Sequence, residues 1–160
     1  MDCCRRKSAG GREACPACKQ VGRPVADVTI RAMLDPQFAA PLLSVERRFC
    51  RTPSCEVLYY GPDGRFARKQ DARVRVGLKE TEDPIPLCYC FGFSRADVER
   101  EIAQTRSCTI PDQIAAEIRA GRCACEIMNP SGACCLGEVR TSVREALRRA
   151  AAPVVRDPAA

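Results

Sequence analysis

The spacing of hydrophobic and polar positions changes about halfway along the 160-residue chain. The first half carries short apolar runs rich in β-branched and aromatic residues, separated by proline and glycine, which is typical of strands and turns. The motif Gly61-Pro62-Asp63-Gly64 predicts a turn between the last two of these runs. Strands are predicted over four segments, the first of which ends in a short helical turn: 25–34, 44–49, 56–60 and 65–68.

The second half has apolar residues at the three- and four-residue intervals of amphipathic helices. Ser94 and Asp97 resemble a capping box and predict the start of a first helix. Gly121 is a stop signal for a second helix, and Ser142 with Glu145 predicts the start of a third. These helices are predicted over residues 94–104, 111–120 and about 142–152.

Cysteine content changes this picture. The chain has 13 cysteines, no histidine, no tryptophan, five phenylalanines and three tyrosines, so its hydrophobic core is thin and needs a disulfide or metal staple. The odd cysteine count argues against a closed set of disulfides. Because we see neither an apolar signal-peptide region nor a run of about 18 apolar residues, we expect no membrane insertion and a cytoplasmic protein. In that reducing compartment, thiolates bound to metal are favoured.

The lack of histidine limits the chemistry. It excludes Ser–His and Cys–His hydrolases, and we assign no catalytic residue, so any activity would be at most that of a redox or metal reductase. All-thiolate sites favour zinc, Cu(I) or iron–sulfur clusters over magnesium and calcium. The formal charge of +6 admits an acidic partner, but scarce aromatic residues and the lack of a basic recognition helix argue against nucleic acid.

One group of four cysteines has the spacing of a structural zinc site. Two knuckles, C-x2-C and C-x4-C, flank the predicted β-rich segment, and two close thiolate pairs are typical of a tetrahedral ion. Iron would fit the same four thiolates, and a plainer alternative is that one pair consists of free buried cysteines. The group is Cys15, Cys18, Cys50 and Cys55.

A second group surrounds the loop 121–137, which contains one proline and three glycines and therefore cannot be a continuous helix. Upstream, Cys88 and Cys90 are expected to hold one iron of an iron–sulfur cluster. The loop is expected to supply the ligands of a second iron, and the spacing alone does not decide between [2Fe–2S] and [4Fe–4S]. Its four candidate ligands are Cys123, Cys125, Cys134 and Cys135.

The stretch CYCFGFSRADVEREI, followed by a helix pair and a cysteine-rich loop, resembles the bacterioferritin-associated ferredoxin-like [2Fe–2S] domain. The chain departs from that family at the second cysteine pair, having C-x-C-E-x-x-N-P-S-G-x-C-C where the family has C-x-x-C. Over residues 14–140, the chain resembles the N-terminal zinc and [2Fe–2S] domain of CopZ-type copper chaperones. The shared strings are CPAC, FCRTPSCEVLYY, RVGLKE, CYCFG and NPSGACCLG.

This resemblance implies a Zn²⁺ ion on the first cysteine group and a [2Fe–2S] cluster on four ligands of the second. Cys123 and Cys134 are rival ligands. Asn129 and Ser131 are candidates to donate hydrogen bonds to cluster sulfurs, the alternative being a simple Asx turn. The implied cluster ligands are Cys88, Cys90, Cys125 and Cys135.

The predicted fold class is α+β, small and metal-stapled, with a β-rich zinc-knuckle half followed by a helical [2Fe–2S] half. Pro84-Ile85-Pro86 is the expected boundary, and Cys3-Cys4, in a disordered tail, is given no site. The expected division is a tail at 1–13, a zinc-binding subdomain at 14–83, a [2Fe–2S] subdomain at 84–152 and a tail at 153–160.

The expected function is electron transfer linked to metal handling, with copper as the metal and reduction of Cu(II) to Cu(I) as the reaction. Expected partners are copper ions, a separate copper chaperone or transporter, and a redox protein. We expect the M-x-C-x-x-C copper-carrying domain of the chaperones to be absent. The alternative is a metal- or redox-sensing module that uses spare thiols. These thiols are Cys3, Cys4, Cys108, Cys123 and Cys134.

Overall fold

The computed structural model describes residues 14–152. The two predicted tails and the pair Cys3-Cys4 lie outside the described residues. The strands are β1 (Arg23–Pro24), β2 (Arg48–Phe49), β3 (Val57–Tyr60), β4 (Phe66–Arg68), β5 (Pro86–Cys88) and β6 (Phe93–Ser94). The helices are α1 (Asp27–Met33), α2 (Pro36–Leu43), α3 (Arg95–Thr105), α4 (Ile110–Arg119), α5 (Cys125–Met128) and α6 (Leu136–Ala151). The predicted α+β class is confirmed.

The first half is built on an antiparallel sheet in the order β1-β2-β3-β4. All four residues of β3 are buried, because the strand is covered on both faces. Leu58 and Tyr59 pack into a core with α1 and α2, whereas Val57 and Tyr60 pack against the cysteines of the first group. This uninterrupted apolar strand is the pattern expected of a doubly covered strand.

The second half packs α3 and α4 against α6, beside the small β5–β6 hairpin. Its core contains Val98, Ile102, Ile114 and Val139 at helical spacing, together with Cys88 of β5. The predicted start of α3 is confirmed. Ser94 is its N-cap, its hydroxyl accepts a hydrogen bond from the N–H of residue 97, and the carboxylate three residues on accepts one from the Ser94 N–H.

The first half contains more helix than the sequence indicated. The segment 25–34, predicted as a strand with a helical turn, is mostly helix α1, and its buried side chains Thr29, Ile30 and Met33 have helical spacing. Helix α2 was not predicted, because its two prolines, Pro36 and Pro41, are among the residues that separate the short apolar runs and are typical of turns. Proline at a first helical position costs no hydrogen bond, so Pro36 is compatible with the helix.

The start of α6 was also predicted wrongly. The helix begins at Leu136, and Ser142 lies inside it with its side chain buried, so Ser142 and Glu145 do not form a capping box. The apolar stripe from Val139 to Ala146 packs into the core and overrides the local capping signal. The predicted strand 44–49 is likewise reduced to its last two residues.

The two halves are joined by direct contacts. The Tyr59 hydroxyl donates to the Pro130 carbonyl at 2.5 Å, and the Thr29 hydroxyl donates to the Glu126 carbonyl at 2.7 Å. At Gly77, a Cβ atom would lie 1.9 Å from the Pro86 carbonyl oxygen, so only glycine fits there. The boundary at 83/84 remains a prediction. Within residues 14–152, no helix is long and apolar enough to cross a membrane.

Candidate metal centre

The sulfur atoms of the first cysteine group converge on one point. All four lie within 4.8 Å of one another, and two of the separations are 3.8 Å and 3.6 Å. A tetrahedral zinc ion with Zn–S bonds of about 2.3 Å places its sulfurs about 3.8 Å apart. The close pairs are Cys15 with Cys55 and Cys18 with Cys50. The group therefore fits a zinc ion without rearrangement.

The local backbone explains this convergence. After Cys15 the chain turns through Lys19, which has a φ of 62°, and the Cys15 N–H donates to the Gln20 carbonyl at 2.9 Å. The tight turn aims the N–H groups of Ala17 and Cys18 at the Cys15 sulfur. Backbone N–H donors of this kind stabilise a thiolate in place of water.

The second knuckle contributes similar donors. The Thr52 N–H donates to the Cys50 sulfur, and the Thr52 hydroxyl lies 3.2 Å from the Cys18 sulfur. Burial opposes ionisation of Cys18, but this hydroxyl and the Gln20 N–H lower the pKa of Cys18 to about 6. Burial raises the pKa of Cys15 to about 12. Metal binding at neutral pH must therefore release a proton from Cys15.

A buried cation adjoins the same site. Lys79 is only 4 % exposed, and its ammonium donates to the carbonyl oxygens of Thr52 and Cys55 at 2.8 Å and 2.9 Å. Its charge favours the ionised form of Cys50, opposing the larger effect of burial, which raises that pKa. Sequence reasoning missed Lys79, because a lysine in a polar stretch is ordinarily a solvated residue.

The second cysteine group forms two pairs instead of one tetrahedron. The Cys90 and Cys125 sulfurs lie 3.7 Å apart, and Cys88 is hydrogen-bonded to Cys135. Within residues 14–152, the first group is the one set of three or more potential ligands whose atoms all lie within 4.8 Å of one another. The close pairs differ from the expected grouping of Cys88 with Cys90. The cause is the hairpin, which buries Cys88 against α6 and leaves Cys90 half-buried on the side of α5.

Backbone N–H groups also surround this second group. The Ala124 N–H donates to the Cys90 sulfur at 3.3 Å, and the N–H groups of Cys90 and Phe91 donate to the Cys88 sulfur. The hydrogen bond from Cys135 is the main reason why the pKa of Cys88 falls to about 6. The same bond, followed by burial, raises the pKa of Cys135. Without a metal, Cys88 is therefore the ionised thiol of this pair, and Cys135 keeps the proton that it donates to Cys88.

The remaining candidates occupy different surroundings. Cys134 is exposed and Cys123 is half-buried. Cys125 and Cys135, which belong to the predicted ligand set, lie at the starts of α5 and α6. The Cys108 thiol, between α3 and α4, donates instead to the Glu101 carboxylate at 3.3 Å. All eleven cysteines between residues 14 and 152 are free thiols.

Asn129 and Ser131 form the Asx turn that was the alternative to a role in binding cluster sulfurs. The Asn129 carboxamide oxygen accepts hydrogen bonds from the N–H and the hydroxyl of Ser131, both at 3.0 Å. The Asn129 amide donates to the Ala133 carbonyl at 2.8 Å. These bonds fix the loop between the cysteine-bearing segments, and a role of either residue toward cluster sulfurs remains a prediction.

Comparison with known proteins agrees with this geometry. Residues 12–73 match a family, zf_CopZ, described as a zinc binding domain. The chain is 31 % identical over 122 residues to the copper chaperone CopZ of Archaeoglobus fulgidus, an alignment that covers 76 % of this chain and 57 % of the relative. The X-ray structure of the A. fulgidus CopZ N-terminal domain superposes with a TM-score of 0.65 at 30 % identity, covering 80 % of this chain and 95 % of that domain. The match supports zinc at the four-cysteine site and a thiol-rich, metal-binding protein.

Proposed function

Because this chain belongs to the family of the CopZ N-terminal domain, we propose that it is a zinc and iron–sulfur protein that transfers single electrons in metal handling. The first cysteine group holds a structural Zn²⁺ ion, and the second holds a [2Fe–2S] cluster. Copper is the proposed metal, and the protein acts in the cytoplasm, where the thiols of both sites stay reduced.

The zinc assignment is supported by the number of thiolates at the first site, which fills the coordination sphere of the ion. Four thiolates complete a tetrahedral ion and leave no position for a substrate, which is the arrangement of structural zinc sites. Three of the four cysteines are buried, and they pack with Val57 and Tyr60 of β3. The ion therefore takes the place of a hydrophobic core beneath the sheet and contributes folding free energy directly.

The cluster assignment is supported by the pairing in the second group. Each iron of a [2Fe–2S] cluster takes two cysteine sulfurs, and sulfurs on different irons lie farther apart because bridging sulfides separate the metals. The 3.7 Å separation of the Cys90 and Cys125 sulfurs suits one such iron, and the hydrogen-bonded Cys88 and Cys135 suit the other. The N–H groups directed at Cys88 and Cys90 would stabilise negative charge on those sulfurs, which tunes a cluster's potential.

The two pairs also differ in exposure, which supports electron transfer at one edge. Cys88 and Cys135 are buried, whereas Cys90 and Cys125 are half-buried and close to the exposed Ile127 and Met128. The cluster supplies the one-electron chemistry. In the proposed reaction, one electron from the reduced protein converts Cu(II) to Cu(I), and a redox partner protein returns the protein to its reduced form. A separate copper chaperone or transporter receives the Cu(I).

The observation that carries this proposal is the pair of close cysteine contacts, 90 with 125 and 88 with 135. Anaerobic purification followed by iron, sulfide and zinc analysis tests it. We expect about two irons, two sulfides and one zinc per chain, with visible absorption that bleaches on reduction by dithionite. Adding Cu(II) to the reduced protein with a Cu(I)-specific chelator should then yield one chelated Cu(I) per oxidised cluster. Zinc alone, at about two per chain without sulfide, would reject the cluster.

A second candidate function is metal or redox sensing. The exposed Cys134 directly precedes the buried Cys135, so modification of the first thiol would disturb the second. A cluster that is lost on addition of Cu(I), and that does not cycle reversibly between two oxidation states, would favour sensing over electron transfer.

A further inference from the structure

Lys79 places a positive charge against the second zinc knuckle. The residue is 4 % exposed and lies in the short turn Gly77–Lys79, outside the segments that carry the four cysteines. Its ammonium donates to the carbonyl oxygens of Thr52 and Cys55. These two residues are the ends of the turn that leads into Cys55, the last residue of this knuckle. The cation is therefore held in place by the same loop that carries two of the thiolates.

Burial of a lysine in such a place requires an explanation. Transfer of an ammonium group out of water is unfavourable unless hydrogen bonds and an opposite charge compensate. The two carbonyl oxygens satisfy hydrogen bonds but carry no net charge. Four thiolates around a divalent ion carry a net charge of −2, and the charge of Lys79 acts on one of these sulfurs, that of Cys50.

We propose that Lys79 is the buried counter-charge of the zinc site and that it selects a divalent ion there. This inference rests on the zinc site proposed above. The ammonium stabilises the occupied site, which is more negative with a divalent than with a trivalent ion. It slows zinc release and favours Zn²⁺ or Fe²⁺ over Fe³⁺ on the same four sulfurs.

The competing explanation is that Lys79 only ties the loop together through its two hydrogen bonds. Lys69 offers a control, because its ammonium also donates to a backbone carbonyl, that of Lys79 itself, at 3.4 Å, but it is exposed to solvent and lies outside both knuckles. Water screens an exposed charge far more than a buried one. The two lysines thus share a hydrogen-bonding role and differ in burial.

The first experiment measures zinc transfer from the full chain to a chromogenic chelator. We expect Lys79→Met to release zinc about tenfold faster or more, as is typical when an outer partner of a metal ligand is removed. Lys79→Arg, which keeps the charge, should remain close to wild type, and Lys69→Met should be unchanged. A Lys79→Met protein that is folded and releases zinc at the wild-type rate would overturn the proposal, as would a Lys79→Arg protein that behaves like Lys79→Met.

The second experiment measures a property that a purely structural role would not move. Iron is loaded into the zinc site of the full chain, and its Fe³⁺/Fe²⁺ potential is followed by the high-spin Fe³⁺ electron paramagnetic resonance signal, which a [2Fe–2S] cluster does not give. We expect Lys79→Met to lower this potential, with Lys79→Arg restoring it. Each tenfold change in the relative stability of the two ions corresponds to about 59 mV. An unchanged or raised potential would refute the counter-charge.

Two outcomes separate this inference from the underlying zinc assignment. Absence of zinc from the purified wild-type protein would reject the site itself, whatever the variants do. If Lys79→Met and Lys79→Gln both fail to fold, Lys79→Arg decides: folded protein with zinc bound supports the charge, and failure of this variant as well overturns the proposal.

Discussion

The hydroxyl of Tyr59, a residue with no solvent exposure, donates a 2.5 Å hydrogen bond to the carbonyl oxygen of Pro130. This bond joins strand β3 to the loop that carries Cys125 and Cys135. Its neighbour along the strand, Tyr60, packs against the cysteines of the zinc site. One strand therefore contacts the first cysteine group and the loop that carries part of the second, so the position of the loop depends on the fold of the first half.

Removal of this hydroxyl is expected to weaken the second centre selectively. Tyr59→Phe leaves the buried Pro130 carbonyl without its donor, and an unsatisfied buried acceptor costs about 1–3 kcal/mol. We expect a lower thermal midpoint and faster loss of iron to a chelator, with one zinc per chain retained. Loss of zinc together with iron would show that the hydroxyl supports the whole fold instead of the loop.

The adjacent cysteines at the start of α6 allow a matched test of the ligand set. Cys135→Ser should abolish the cluster absorption, because this buried residue contacts Cys88. Cys134→Ser should retain it, because Cys134 is exposed. Iron and sulfide analysis of both proteins provides the measurement. The opposite result would transfer the ligand role to Cys134.

The zinc site predicts a similar contrast between Cys55 and Cys108. Cys55→Ser removes one of four converging sulfurs. Loss of a group that only hydrogen-bonds to a metal ligand lowers affinity roughly 10–100-fold, and we expect loss of a ligand itself to lower zinc affinity by more. Cys108→Ser alters a thiol that donates to Glu101 and is not part of the four-cysteine group, so it should leave zinc affinity unchanged. Competition with a chelator of known affinity measures both. Equal affinities in the two variants would contradict the assignment.

The cap of α3 predicts a pH effect with a defined sign. Hydrogen bonds from the hydroxyl and the N–H of Ser94 hold the pKa of Asp97 below its ordinary value of 3.8. The folded-state pKa is thus depressed, so this contribution to stability is present above the ordinary pKa and is lost as the pH falls through the folded-state value. We expect Asp97→Asn to be less stable than wild type at pH 7, with the difference shrinking towards pH 3.

Ser94→Ala removes the other member of this cap and should cost about 1 kcal/mol at neutral pH. Denaturant unfolding of wild type and both variants, at several pH values, provides the measurement. Because acid protonates the metal-binding thiolates equally in all three proteins, only the differences between them report on the cap. A wild-type advantage over Asp97→Asn that grew on acidification would contradict the depressed pKa.

The convergence of the first cysteine group follows from the sequence more directly than the local elements do. Short ligand spacings such as C-x2-C constrain the backbone so strongly that convergence of the knuckles was predictable from Cys15 and Cys18. The start of α6 was not predictable in this way. Ser142 has the side chain of a typical helix cap, but tertiary packing buries it inside the helix. The pairing of Cys88 with Cys135 depends on the β5–β6 hairpin, which the pattern of residues did not indicate.

Contacts between the halves were beyond prediction for a different reason. The bond from Thr29 to the Glu126 carbonyl joins positions 97 residues apart, and neither residue has a distinctive local pattern. At Gly132, where φ is 64°, a Cβ would lie 2.8 Å from the Thr29 hydroxyl, so the close approach is visible only in three dimensions. Sequence spacing reports local chelation, whereas such contacts arise from the assembled fold.

The place of Lys79 has a consequence for anyone who wishes to transplant the zinc module. The family match ends at residue 73, six residues before the ammonium that contacts the second knuckle. A graft cut at that boundary would carry every thiolate into its new host and leave the neutralising cation behind. Such a chimera should be assembled with its segment extended through Lys79, and the shorter version should load zinc poorly despite an intact set of ligands.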